Sequence, residues 1–219
     1  MTEEESRHCL RVLRLKTDDI ISVVDGAGNF CKAVILETHP HRCRIKIFEV
    51  TKDYRKRHHH LHLAITPPKS ADRFEWFLEK ATEIGCDEIT PVICRRSERD
   101  RIKEDRSVKI LISAMKQAGR AYLPQLNVMI KLEDLLDQCR EKSRIILHCE
   151  EYALPRLGKD HLDLTPAIIL IGPEGDFTRQ EIDHAKETNF SEATLGPFTY
   201  RTETAGIMAC QIFNWIHNQ

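Results

Sequence analysis

Apolar positions along this chain fall in short β-branched runs near the amino terminus and in alternating strand and helix patterns after it. Ile20 to Val24, Phe30 to Leu36 and Cys43 to Val50 read as strands, and Asp25-Gly26-Ala27-Gly28-Asn29 supplies a hairpin turn between the first two. A polar, basic linker from Thr51 to His60 closes this β-rich part. Leu61 to Thr66 then reads as a strand ended by Pro67-Pro68, and a helix follows from Ser70 to Ile84. Phe74, Phe77, Leu78, Ala81 and Ile84 share one face of it, and Gly85 stops it. The alternation continues with a strand Glu88 to Ile93, a helix from Glu104 to Gly119, a short helix after Leu132 and a strand Arg144 to His148. Such alternation predicts an α/β domain with a parallel sheet covered on both faces, and ligands at the carboxyl ends of its strands.

Two glycine-bearing loops stand out in the last quarter. The apolar run Ala167 to Ile171 ends in Gly172-Pro173-Glu174-Gly175-Asp176-Phe177, where glycines let a ligand approach the backbone. Thr178 with Glu181 fits a capping box that opens the next helix. Leu195-Gly196-Pro197-Phe198-Thr199-Tyr200 then leads through Arg201-Thr202-Glu203-Thr204-Ala205-Gly206 into a C-terminal helix. Ala205, Met208, Ala209, Ile212, Phe213 and Ile216 make one apolar face of that helix, and Ile207 and Trp215 lie outside it, so it calls for cover on more than one side.

At 219 residues, 41% hydrophobic and 31% charged, the chain has the composition of a soluble globular protein. No apolar run reaches a membrane span, and residues 1 to 8 lack a signal-peptide pattern. The eight cysteines lack any Cys-x-x-Cys pair and read as reduced core residues of a cytoplasmic protein. The net charge is -1, yet cations cluster at Arg7, Arg11, Arg14 and Lys16, at Arg42 and Arg44, at Arg55-Lys56-Arg57, and at Arg95, Arg96, Arg99 and Arg101. Four clusters point to a polyanion such as RNA. Val23 to Gly28 is read as a hairpin and not as a dinucleotide fingerprint, because the third glycine is absent and a β-run follows. His39-x-His41 and His58-His59-His60-x-His62 have no accompanying ligands at metal-binding spacing and are read as surface histidines; no metal is expected.

The motifs Ile-Gly-Pro-Glu-Gly-Asp-Phe at 171 to 177, Leu-Gly-Pro at 195 to 197 and Arg-Thr-Glu-Thr-Ala at 201 to 205 resemble those of the RsmE family of 16S rRNA (uracil-N3)-methyltransferases, in the SPOUT superfamily. The resemblance extends to Lys69, Arg73, Glu75, Lys80, Glu83 and Gly85, to Ser97-Glu98-Arg99, Gln117, Arg120 and Pro124, and to His8-x-x-Arg11-Val12-Leu13-Arg14. It implies a PUA-like β-barrel over 1–60 and, over 61–219, a catalytic domain with a C-terminal trefoil knot. It further implies S-adenosyl-L-methionine as methyl donor, 16S rRNA or the 30S subunit as substrate, and a homodimer. The resemblance places the cofactor against His148, Cys149, Glu150, Ile171, Gly172, Pro173, Glu174, Gly175, Leu195, Gly196, Phe198, Tyr200, Thr204 and Ala205. RNA would be bound by Arg7, Arg11, Arg14, Lys69, Arg73, Arg99 and Arg120. Catalysis would fall to Arg201, which orients the nucleotide or offsets its developing charge, and Glu203, which anchors that arginine or assists proton removal. The sequence departs from the family at Phe198, where an arginine is frequent, at Lys116, and in a late start relative to the first strand. A SPOUT enzyme acting on tRNA or a ribose hydroxyl, and a non-catalytic RNA-binding assembly protein, remain open alternatives.

Overall fold

The computed structural model describes residues 1–149 and 154–217. The chain divides into two compact units: Met1–Lys56 together with Gly119–Tyr122, and Arg57–Ala118 together with Leu123 onward.

In the first unit a short helix α1 (Glu3–Arg7), capped by a Thr2/Glu5 capping box, precedes three antiparallel strands. These are β1 (Ile20–Val24), β2 (Phe30–Glu37) and β3 (Arg44–Thr51), in the order β1-β2-β3. The expected hairpin forms between β1 and β2, with the Asp25 carboxylate accepting the Ala27 and Asn29 N–H groups at 2.8 and 3.0 Å. Ala33 and Ile35 are fully buried, whereas Ile47, Phe48 and Val50 on β3 are exposed. The expectation was a barrel; the structure holds a three-stranded sheet in which β1 and β3 are edges. Residues 119–122 belong to this unit, although helical spacing assigns the segment through Gly119 to a helix. Gly28 N–H donates to the Ala121 carbonyl at 2.9 Å, and the Tyr122 hydroxyl donates to Asp53 at 3.0 Å.

The second unit is built on β4 (Leu61–Ile65), α2 (Ala71–Ile84), β5 (Glu88–Ile93), α3 (Glu104–Gln117), the two-residue strands β6 (Gln125–Leu126) and β7 (Ile130–Lys131), α4 (Leu132–Gln138), β8 (Ser143–Leu147), β9 (Ala167–Ile171), α5 (Arg179–Glu187), β10 (Ser191–Ala193) and α6 (Thr202–His217). The strands run parallel in the order β10-β8-β9-β4-β5-β6, with β7 also on β5. Cover on both faces explains why β4 and β9 are apolar nearly throughout. Leu61, Leu63, Ile65, Ala167, Ile169 and Ile171 face a core shared with Phe74, Phe77, Leu78, Leu111 and Phe213. Ala64, Ile168 and Leu170 face a second core with Leu132, Leu136, Phe177 and Ile182. β10 has only three residues and carries no readable pattern. The Thr178/Glu181 capping box forms as expected, with the Thr178 N–H 2.7 Å from Glu181 Oε2.

Two segments are structural: Arg57, expected in a polyanion-binding cluster, and the histidine run, expected on the surface. Arg57 is mostly buried, pairing with Asp87 and donating to the Gly85 carbonyl at 2.6 Å and to Asn214 Oδ1 at 2.9 Å. Of the histidines 58–60 and 62, only His58 is fully on the surface. His62 lies on β4 with 4% exposure, its Nδ1 2.5 Å from Glu141 and its Nε2 2.6 Å from the Thr90 hydroxyl. The surface reading fails there because a strand with both faces covered buries every side chain, polar ones included. Burial pushes the Glu141 carboxyl up, but hydrogen bonds from His62 and Cys139 outweigh it and bring it from 4.5 down to about 2. A folded value below the unfolded one contributes stability that is present above pH 4.5 and is lost as pH falls toward 2. The urea midpoint should therefore drop across that window, and Glu141→Gln, measured in the same buffers, should flatten the drop.

Candidate active site

Three neighbouring strands, β10, β8 and β9, end on the same side of the sheet, and the loops leaving them enclose one cleft of about 530 Å³ including its open mouth. Leu147, His148 and Cys149 line it from β8; Ile171, Gly172, Pro173, Glu174 and Asp176 from β9; Leu195, Phe198, Thr199 and Tyr200 from the loop after β10. Thr202 and Ala205, at the start of α6, complete the wall.

Short polar contacts fix the loops to one another. The Asp176 carboxylate accepts the Phe177 N–H through Oδ1 and the Cys149 N–H through Oδ2, both at 2.8 Å, which ties the β9 loop to the β8 loop. Asp176 holds φ at 61°, a left-handed conformation that aspartate tolerates better than most residues. The Thr202 hydroxyl donates to the Gly172 carbonyl at 3.0 Å and ties the same loop to α6. Glu174 accepts the Lys69 N–H at 3.0 Å, and Arg96 donates to the Gly175 carbonyl at 2.6 Å. The loops after β4 and β5 thus brace the β9 loop from outside.

The glycines serve different ends. A Cβ at Gly172 would lie 3.0 Å from the Phe177 ring, so this residue is small to admit an aromatic of its own loop, while its backbone faces the cleft. Gly196 has φ of 133° with open space around it, a conformational need. Gly175, Gly196 and Thr204 are not on the cleft wall, although the resemblance places them against the cofactor. Gly175 packs on Arg96 instead. Glu150 lies outside the described residues. The His148 ring is buried, with Nε2 3.2 Å from Glu192. Burial raises the Glu192 carboxyl, but the Lys186 ammonium at 2.6 Å and His148 hold it below its usual value. Burial, and then Asp176, push the exposed Cys149 thiol up.

Arg201 is exposed at the mouth of α6 and does not meet Glu203, which is buried and lies against Arg73. Lys69 meets the β9 loop at Glu174, and Arg99 donates to the Lys69 carbonyl at 3.4 Å, whereas Arg73 lies against Glu203 of α6. Arg7, Arg11, Arg14 and Arg120 lie in the first unit, where Arg7 pairs with Glu3. Sequence reasoning missed Asp176 as the residue that joins two loops. Its position directly after the second glycine of the loop was the available signal.

The RNA methyltransferase domain profile matches residues 55–214, which contain the whole cleft. The chain belongs to the RNA methyltransferase family. An RNA methyltransferase PUA domain matches residues 1–48. The kinship with RsmE also holds. Ribosomal RNA small subunit methyltransferase E of Bacillus subtilis is 25% identical over 98% of this chain and 89% of its own length. The Aquifex aeolicus protein of the same name is 28% identical over 97% and 92%. Among solved structures, a probable rRNA-methyltransferase from Porphyromonas gingivalis superposes with a TM-score of 0.89 at 35% identity, covering 99% of this chain and 92% of the other. Ribosomal RNA small subunit methyltransferase E from Neisseria gonorrhoeae, bound to S-adenosyl methionine, gives 0.87 at 28%, covering 98% and 90%. Among the described residues no helix is long and apolar enough to cross a membrane.

Proposed function

We propose that this protein transfers the methyl group of S-adenosyl-L-methionine to N3 of a uridine in 16S rRNA, with the cleft at the ends of β8, β9 and β10 as the cofactor site. The observation that carries this is the cleft itself: three loops fastened by Asp176 and Thr202, with backbone of Gly172 and Pro173 on the wall, in a chain whose gonococcal relative holds that cofactor. The wall suits a nucleoside with an amino-acid tail, since it combines apolar Leu147, Ile171, Leu195 and Ala205 with backbone groups and Thr199. When bound there, the cofactor supplies an electrophilic methyl group on a sulfonium.

The rest is for the chain's own residues. N3 of uridine carries a proton and lies on the pairing edge, so the base must be unpaired or turned out, and that proton must leave as the N–C bond forms and the S–C bond breaks. Arg201, exposed and next in sequence to the cleft residue Tyr200, would offset the negative charge that develops on the uracil ring. Arg201→Ala should lower single-turnover rate by about a hundredfold with the cofactor Kd unchanged; an equal rate would remove Arg201 from the chemistry.

Two structural parts of the reading go with it. The strand order β10-β8-β9-β4, with all three loops converging, is what a trefoil knot over the C-terminal segment would give. A homodimer through α6 would cover Trp215 and Phe198, which are 67% and 69% exposed. Incubation with labelled S-adenosylmethionine and 16S rRNA or 30S subunits lacking the modification, followed by nucleoside mass spectrometry, tests the whole. 3-Methyluridine in 16S rRNA is the expected product. A different methylated nucleoside, or product in tRNA alone, would overturn the assignment of position or substrate.

A further inference from the structure

A carboxylate taken out of water is stable only when its oxygens find donors. Glu203, in the first turn of α6, departs from that rule. Its side chain is 8% exposed, Oε1 lies 3.7 Å from Nε of Arg73 on α2, and the buried Oε2 has no hydrogen-bond partner among the described residues. The pair is therefore incomplete: an arginine–carboxylate bond at full strength is bidentate and near about 2.8 Å. The Arg73 side chain, by contrast, is 39% exposed. A guanidinium carries five N–H groups in a plane, so a fork that turns its Nε edge to one anion keeps its outer edge for a second. The preceding residue, Thr202, both lines the cleft and holds the Gly172 carbonyl, so the first turn of α6 connects the cofactor loop to α2. Lys69, just ahead of α2, is fastened to Glu174 of that same loop.

We propose that Glu203 is a positioning residue for Arg73, not for Arg201, and that the outer edge of Arg73 takes a backbone phosphate of the RNA next to the target uridine. Glu203 holds the fork from the inner side through its Nε edge while the phosphate takes the outer edge, so the guanidinium is fixed between two anions. Glu203 then contributes by fixing where one phosphate sits, which sets where the uracil enters. This rests on the RNA-methylating reading above.

The test measures binding of unmodified 16S rRNA transcript against salt concentration, and single-turnover methylation, for Arg73→Met, Arg73→Lys, Glu203→Gln and the double variant Glu203→Gln/Arg73→Met, with cofactor affinity and a thermal melt as measures of folding. Arg73→Met should weaken RNA binding about tenfold and reduce the slope of log K against log salt by about one. Arg73→Lys should keep the slope, because the charge remains, and lose most of the affinity, because the fork does not. Glu203→Gln should reproduce most of the Arg73→Met defect, and the double variant should be no worse than Arg73→Met. Additive losses, or coupling of Glu203→Gln to Arg201→Ala in place of Arg73→Met, would overturn the proposal. Should Glu203→Gln fail to fold, an unchanged salt slope in Arg73→Met overturns it alone. Absence of methylated product from the wild type would refute the enzymatic reading and leave the coupling in RNA binding to be read separately.

Discussion

Replacing Asp176 by alanine should raise the Kd for S-adenosylmethionine by about a hundredfold, measured by isothermal titration calorimetry. The residue makes two hydrogen bonds from a charged acceptor, to Phe177 N–H within its own loop and to Cys149 N–H in the neighbouring one, both at 2.8 Å. Each is worth about 1.5–3 kcal/mol, and a tenfold change in affinity corresponds to about 1.4 kcal/mol. Not all of that reaches the cofactor, since the Thr202 bond to Gly172 still holds the far side of the loop. Alanine adds the cost of its left-handed backbone at φ of 61°. Two further variants separate the causes. Asp176→Gly relieves the backbone and loses both bonds, so it should remain close to the alanine variant. Asp176→Asn keeps an acceptor and the turn, and should lose about tenfold. Wild-type affinity in Asp176→Gly would mean that the loops hold their places without the carboxylate, and Asp176 would then have no part in shaping the cofactor site.

The largest effect on stability is expected at Arg57. Its guanidinium joins the start of the second unit to the end of α2 and to α6, through the Gly85 carbonyl, Asp87 and Asn214 Oδ1. Asp87 in turn accepts the Leu61 N–H at 2.8 Å, and Asn214 Nδ2 donates to the Gly85 carbonyl at 3.0 Å. Arg57→Ala leaves a largely buried carboxylate without its cation, a change that costs about 3–5 kcal/mol. For a chain of this size that lowers Tm by about 10 °C. Arg57→Lys, which supplies a point charge in place of a fork, should fall between the two. Arg55→Ala is the control: that side chain is exposed and stacks over Tyr54 at 5.2 Å, an interaction worth under about 1 kcal/mol. Equal melting temperatures for Arg57→Ala and Arg55→Ala would show that the buried node carries no net stability.

The histidines and Arg57 show where reading residues one at a time stops. Composition makes His58 to His62 and Arg55 to Arg57 look like one basic, solvated linker. Burial is decided instead by where the strand begins. His62 follows Leu61 into β4, the central strand with neighbours on both sides, so its ring had to find Glu141, which is distant in sequence. Likewise, the motif Arg201-Thr202-Glu203 invites a local ion pair. Helix geometry turns position 203 inward against α2 and leaves Arg201 outside the helix, so the partner came from Arg73.

The alternation of strands and helices, both glycine loops, the capping box at Thr178 and the family are all legible along the chain, because they depend on short-range periodicity, backbone conformation and residues close to one another. Folding alone settles that β8, β9 and β10 lie side by side, that Asp176 and Thr202 fasten their loops, that residues 119–122 join the first unit, and that Glu203 faces Arg73. Each of these pairs groups that are far apart along the chain, and which distant groups meet depends on strand order and on what each face of the sheet must cover.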